Sequence, residues 1–415
     1  MTASKIVVIG GGPAGMMAAI QAARSCADVT LIEKNAELGK KLLLSGKGRC
    51  NLTNACERDV FLQRFSGNGQ FLRDAFKTFF NKDLMRFFEE RGLKLRVERQ
   101  QRVFPVTDSS MSILAVLKKE LAARQVKVLY KVCVQDVLVA NGMVRGVRLA
   151  GGGEIKSDRV ILATGGVSYA FTGSTGEGIR IAARLKHRTV PVRAGLVPLA
   201  AKPAFIRELE GLTLKNIRLV FSHGGKKLAS EIGELMFTAN GVSGPLVLTL
   251  SGQIADWLAV EDKTGVILEI DLKPALTEEQ LHERLLREFR GSPRRTVKNT
   301  FRELLPVRLI GAFLDILRIP QDKKANQVNQ RERAEMVALL KKFRLEITGT
   351  LPIEEAMITR GGVSLRDIDP RTMGSRIIKG LFFAGEMIDV DADTGGFNLQ
   401  AAFSTGYLAG ESSSQ

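Results

Sequence analysis

Histidine, cysteine and tryptophan are scarce in this chain: 3 His, 4 Cys and 1 Trp in 415 residues. The histidines, His187, His223 and His282, are scattered, and Cys26, Cys50, Cys56 and Cys133 form no CxxC pair. No metal site is therefore expected. Low cysteine usage fits a reducing compartment, and no signal-like segment precedes the first apolar run, so a cytoplasmic location is expected. No uninterrupted apolar stretch approaches the ~18 residues of a membrane helix, which leaves a membrane partner without support. Acidic residues are also short: 44 Asp and Glu face 61 Lys and Arg, a net charge of +17. Such an excess favours polyanions, although a generally basic surface needs no partner at all. Internal repeats and low-complexity tracts are missing too.

What is present reads as strand–turn–helix–strand. Residues 5–9 (KIVVI) form a buried strand, GGGPAG a turn, AGMMAAIQAARS a helix and 28–33 (DVTLIE) a second strand. Residues 34–56 are too rich in Lys and Gly for a long regular element. Helical patterns follow near 70–91 and 110–124, then short strands from 126 to 163. Asn141-Gly142 between two Val-rich runs signals a hairpin. Strand 159–163 runs into a Gly-marked turn, and a helix begins near Gly176. After about residue 190 the texture becomes β-rich, with a hairpin closed by Gly224-Gly225 and a strand at 266–272. Residues 277–342 turn helical and basic, and from about 355 the first vocabulary returns, ending in a strand at 380–386 and a helix. The expected layout is a discontinuous nucleotide domain, 1–190 with 355–415. It carries a β-barrel-like part, 191–275 with 343–354, and a basic helical insert, 276–342.

Gly10-x-Gly12-x-x-Gly15 sits between a strand and a helix, the context this motif requires. Gly10 allows the tight turn, Gly12 leaves room for a pyrophosphate, and Gly15 lets helix and strand approach. The helix start, with Pro13 and Ala14, offers free N–H groups and a positive dipole end to phosphates. Glu33 closes the second strand 18 residues after Gly15, where a carboxylate can hold ribose hydroxyls. One such unit does not separate FAD from NAD. Two further strand ends do: Ala163-Thr164-Gly165-Gly166, and Gly385-Glu386 with Gly395-Gly396-Phe397-Asn398 before the last helix. Glu386 could bind a ribityl hydroxyl, and the helix start could stabilise negative charge on reduced flavin. Three glycine-marked strand ends suit an extended FAD.

With these motifs assembled, the sequence resembles the BaiN/RdsA family of FAD-dependent oxidoreductases, which includes rRNA dihydrouridine synthase-like and aminoacetone oxidase-like flavoproteins. The matching stretches are GGGPAGMMAA, LGKKLLLSGKGRCNLTN, VFPVTD at 103–108, ATGG with TGSTGEG, MFTANGVSGPLVL and GLFFAGEMIDVDADTGGFNLQAAFSTG. They span residues 5 to about 407. SGKGRCN carries a lysine where many relatives have glycine. The resemblance implies an α/β fold of the two-dinucleotide flavoprotein type, a Rossmann-like FAD domain interrupted by a small β-barrel and a helical subdomain. It also implies FAD contacts. Glu33 and Lys34 would hold the adenosine ribose, and Val134 the adenine through its backbone. Lys41, Ser45 and Gly46 would line the pyrophosphate and ribityl region, with Gly385, Glu386 and Asp389 around the ribityl chain. Arg49, Cys50, Asn51, Gly396, Phe397 and Asn398 would face the isoalloxazine.

Cys50 admits two readings. With Lys47 and Arg49 just before it a thiolate would be favoured and its pKa lowered, and the thiol could protonate a substrate carbon; alternatively it is a small packed residue beside the flavin. His223, at a hairpin tip, is expected at the surface, and Trp257 in the core or at its rim. From Leu281 to Arg344 there are 16 Lys and Arg against 7 Asp and Glu, a net +9. Arg294, Arg295 and Lys298 there look able to grip nucleic-acid phosphates. Three functions stay open. The first, implied by the resemblance, is reduction of a uridine C5=C6 bond in 23S ribosomal RNA, with NAD(P)H as transient reductant. The second is oxidation of an aminoacetone-like amine or reduction of a small enone. The third is a flavin-bearing RNA-binding protein without turnover. Oligomeric state is not legible.

Overall fold

The computed structural model describes residues 4–25, 27–259 and 265–415, so Cys26 lies outside the described residues. Two compact units emerge: one runs up to Gly195 and resumes at Ile353–Gln415, the other is Leu196–Pro352.

The first unit is built on a five-stranded sheet, every pairing of which is parallel. Its order is Leu381–Phe383, Arg159–Leu162, Lys5–Ile9, Asp28–Glu33, Lys127–Tyr130. Parallel strands covered on both faces need continuous apolar runs; Ile6, Val7 and Val8 are 0–2% exposed. Helix Pro13–Ala22 follows the central strand and is buried along nearly its whole length. Its close partner is helix Phe397–Ser413, which presents Gly406 and Gly410 to the carbonyls of Ala14 and Ala18. A β-carbon at either glycine would sit 2.2–2.3 Å from those oxygens, so only glycine allows this approach. The expected hairpin joins Val134–Ala140 to Met143–Leu149, with Asn141 and Gly142 both left-handed at φ 53° and 71°. A two-residue turn with both centres left-handed matches the twist of the strands it joins. A small antiparallel sheet, Thr53–Asn54, Arg102–Pro105 and Leu95–Val97, frames the loop after residue 44.

In the second unit the strand order is Lys226–Ala229, Thr213–His223, Gly233–Thr238, Gly241–Ser243, Leu199–Lys202, Phe343–Thr350, Val266–Asp271. Val266–Asp271 also pairs with Thr213–His223, so six strands form a closed ring. The hairpin at Gly224-Gly225 is present. The helices Glu278–Gly291, Val307–Ile316 and Gln330–Lys341 share one hydrophobic core with the ring, through residues such as Leu285, Phe313, Leu340 and Phe343. Two expectations need correction. The β-rich stretch contains a helix, Pro245–Leu258, whose buried Val247, Leu248, Ser251 and Ile254 follow a helical period. His223 is half-buried, its ring stacked on Trp257 at 6.1 Å and 20°, because the hairpin end folds onto that helix rather than projecting from it.

Candidate functional site

The glycine turn supplies the first wall. Gly10 has φ 108°, and a side chain there would meet the Ala163 carbonyl oxygen at 2.4 Å and Thr164 Cα at 3.0 Å. That close approach brings the Ala163–Gly165 strand end against the first turn. At Gly12 an added β-carbon would meet no atom within 4 Å, so the helix start opens onto free space. No side chain caps helix Pro13–Ala22 and no acidic residue lies in its first turn. Unpaired N–H groups facing open space suit an anion. Gly385, φ 75°, packs on the Ala14 side chain and adds the third strand end to the same place.

Glu33 is buried at 8% exposure. Its Oε1 accepts from the N–H and side-chain amide of Asn35, at 2.8 and 2.7 Å. Among the described residues its Oε2 accepts only from Gly11 N–H, at 2.7 Å. A carboxylate oxygen carries two lone pairs, so Oε2 keeps one acceptor site. Val132 N–H bonds the Glu33 carbonyl oxygen, which brings the strand beginning at Val134 to this end of the cradle. Lys34, expected beside the ribose, is turned toward Thr175 and Glu177 at 2.8 and 3.0 Å.

Lys41 and Glu386, 345 residues apart, form an ion pair with Nζ–O distances of 2.8 and 2.5 Å. Ser168 Oγ accepts from Lys41 at 2.7 Å and donates to Glu386 at 2.9 Å, and Thr359 N–H donates to Glu386 at 2.7 Å. The sequence points to Lys41 and Glu386 but to neither Ser168 nor Thr359. Ser168 follows the ATGG turn and carried a local signal; Thr359 carried none. Asp389 accepts from Asn68 Nδ2 at 3.2 Å, and burial pushes its carboxyl up.

The segment after Leu44 is backbone-strained. Gly46, Lys47, Gly48 and Cys50 all have φ between 58° and 86°. For the two non-glycine residues this costs about 1–3 kcal/mol each and clusters at ligand clamps. Ser45 bonds the Leu42 carbonyl through its hydroxyl, and its own carbonyl accepts from Cys50 N–H at 2.9 Å. Cys50 is fully buried and its thiol is pushed up to about 12 by desolvation. The expected lowering of its pKa is therefore reversed. Arg49 points away from the thiol, onto the Phe104 ring at 4.2 Å, with Asp108 at 2.6 Å and Glu98 at 2.5 Å. Arg96 binds the same two carboxylates, which are held below the usual carboxylate range by the two guanidiniums. This four-residue network had no signal in the sequence beyond the VFPVTD run.

Asn51 joins the two ends of the chain. In the amide orientation that satisfies both neighbours, Nδ2 donates to the Thr53 carbonyl at 3.2 Å and Oδ1 accepts from Gly396 N–H at 3.1 Å. Gly396 starts helix Phe397–Ser413, which has no side-chain cap. Phe397 is buried edge-on against Phe61, 4.7 Å between centroids. Asn398 commits its side chain to Ala392 and Asp393. At these two positions only the backbone remains for a ligand.

The residues thus fit an extended dinucleotide: an open helix start, a carboxylate with a spare acceptor, and a strained loop joined to a second helix start. Arg294, Arg295 and Lys298 belong to the second unit. Arg294 is exposed in a turn, Arg295 lies 3.8 Å from Glu303, and Lys298 is in the short helix Val297–Thr300. Among the described residues no group of three His, Cys, Asp or Glu could hold a metal, and no helix is long and apolar enough to cross a membrane.

A family model described as HI0933-like protein Rossmann domain matches residues 4–412. A 3-dehydro-bile acid delta(4,6)-reductase of Clostridium scindens is 32% identical over 416 residues, covering 99% of each chain. A ribosomal RNA dihydrouridine synthase of Escherichia coli K12 is 28% identical over 408 residues, 98% of this chain and 96% of the relative. A solved 3-ketosteroid delta1-dehydrogenase from Sterolibacterium denitrificans matches at TM-score 0.51 and 12% identity over 100% of both chains. At that identity the likeness concerns the fold alone.

Proposed function

The chain belongs to the HI0933-like Rossmann-domain family and is an FAD-dependent oxidoreductase, and we propose that it reduces the C5=C6 bond of a uridine in 23S ribosomal RNA to dihydrouridine. The observation that carries the flavin part is the Asn51 bridge between the strained loop and the Gly396 helix start. The RNA part rests on the dihydrouridine synthase relative and on the net +9 of residues 281–344. Location in the cytoplasm, where such RNA resides, is part of the same proposal.

When bound, FAD supplies a hydride to the substrate carbon, with NAD(P)H as its proposed source of electrons. The chain's own groups divide the remaining work. Glu33 Oε2 takes a ribose hydroxyl, with Val134 meeting the adenine through its backbone. The N–H groups of Ala14 and Gly15 face the pyrophosphate across the space over Gly12. Lys41, fixed by Glu386 and Ser168, places a positive charge along the ribityl region, with Asp389 beside it. The backbone N–H groups of Phe397 and Asn398, at the helix start that Gly396 opens, would be the donors available to negative charge at the ring. Cys50 serves as a packed wall. A base must leave its stack to reach the site, at a cost of a few kcal/mol that phosphate contacts offset. Arg294, Arg295 and Lys298 are the proposed contacts.

Reversing Arg294, Arg295 and Lys298 to Glu tests the RNA assignment. The triple variant should retain yellow FAD and lose dihydrouridine in rRNA, mapped in a deletion strain complemented with it. Unchanged dihydrouridine would remove this surface from the account.

A second reading has its own support. The bile acid reductase relative is the more similar of the two, at 32% against 28% identity. The two names describe related chemistry, reduction of a C=C bond conjugated to a carbonyl. On that reading the substrate is a small enone and the basic segment plays no part in recognition. Turnover with an enone that is insensitive to salt and RNA would favour it.

A further inference from the structure

Within the first unit, away from the cradle, a cavity of about 260 Å³ opens between three helices. Its walls are the last turns of Pro13–Ala22, the helix Asn81–Glu89, and Tyr407 of Phe397–Ser413. Nothing in the flavin reading uses it.

Its lining is unusual in charge. Arg24, Arg86, Arg91 and Arg124 face the cavity, and only Asp83 and Glu90 oppose them from the lining. Glu120 behind the wall takes Arg91 at 3.0 Å and Arg124 at 3.5 Å. Arg86 lies 3.9 Å from Asp83. Arg24 meets only the amide oxygen of Gln21, at 3.3 Å, and no carboxylate pairs with it among the described residues. Arg24 and Arg86, neither held closely by a carboxylate, thus keep donors to spare on one cavity. Phe79 and Tyr407, stacked at 4.4 Å and 7°, give it an apolar side.

Guanidinium forks match the oxygens of a phosphate group better than an ammonium does. The volume lies below the ~300–1,000 Å³ typical of sites for drug-sized ligands. A whole dinucleotide does not fit; a phosphate on a short body does. We propose that this cavity binds the phosphate group of a small phosphate ester, as a site separate from the flavin cradle.

The test uses the full-length, FAD-loaded protein and inorganic phosphate as probe, titrated calorimetrically at constant ionic strength against chloride. Saturable binding at a single site is expected. Arg24→Ala should weaken it by about tenfold or more, the size of a lost charge-assisted bond, and Arg86→Ala likewise. The flavin absorbance of both variants should be that of the parent, which shows that the fold is intact. Arg24 is exposed, so its loss leaves the helix packing untouched. Absence of saturable binding, or equal affinity in Arg24→Ala, overturns the proposal. A single-stranded RNA oligonucleotide is the second probe. RNA that displaces phosphate and loses affinity equally in Arg24→Ala would overturn the assignment to a free ester, in favour of an RNA backbone phosphate.

Discussion

At Cys50 two influences on a thiol compete. Lys47 and Arg49 precede it in sequence and would lower its pKa, whereas burial raises it. Burial wins because Arg49 is drawn onto Phe104, Asp108 and Glu98, and the thiol rises to about 12. Sequence adjacency gave the charges but not their direction. Cys50→Ala should therefore keep turnover within about tenfold of the parent, since removing a general acid costs about 100-fold or more. Single-turnover kinetics read the difference, and the larger loss would restore Cys50 as proton donor. A second residue-scale effect concerns Asp367, which is 3% exposed and hydrogen-bonded by the Arg188 side chain and N–H. Those bonds hold its carboxyl below the ordinary value. A depressed folded pKa stabilises the fold above the unfolded value of about 3.9 and loses that contribution as pH falls below it. Urea melts between about pH 6 and 3 should show this loss in the parent and a shallower one in Asp367→Asn. Equal slopes would remove the pair from the stability of this unit.

Elements differ in how far they could be read. The strand–turn–helix–strand start, the Asn141-Gly142 hairpin and the terminal helix were legible because each carries a local rule: a glycine turn, a left-handed pair, an apolar period. Helix Pro245–Leu258 was missed because its apolar run sits among strands, and length alone separates the two. The pairs Lys41–Glu386 and Asn51–Gly396 were beyond reach, since no local pattern encodes a partner some 345 positions away. The helix pair Pro13–Ala22 and Phe397–Ser413 yields a sharp expectation. Gly406→Leu would drive a side chain into the Ala14 carbonyl, which is backbone and cannot yield as a flexible side chain would. Overpacking of this kind costs about 1–3 kcal/mol. Because both helix starts border the cradle, FAD retention should fall together with thermal stability. A stable variant that holds FAD normally would show that this close packing does not set the cradle.

For the whole molecule, two properties meet. One is a parallel sheet whose three glycine-marked strand ends gather around an open helix start; the other is a net charge of +17. The first underlies flavin chemistry, and the second, in this account, brings a polyanionic substrate to it. Both must act in one reaction, so the direct measurement joins them. FAD-loaded protein, reduced without oxygen, is mixed with an unmodified 23S rRNA fragment, and flavin absorbance and dihydrouridine are followed together. The account predicts reoxidation of the flavin with one dihydrouridine formed per flavin, slowed by added salt. Flavin that stays reduced with this RNA but is reoxidised at once by a small enone would contradict it.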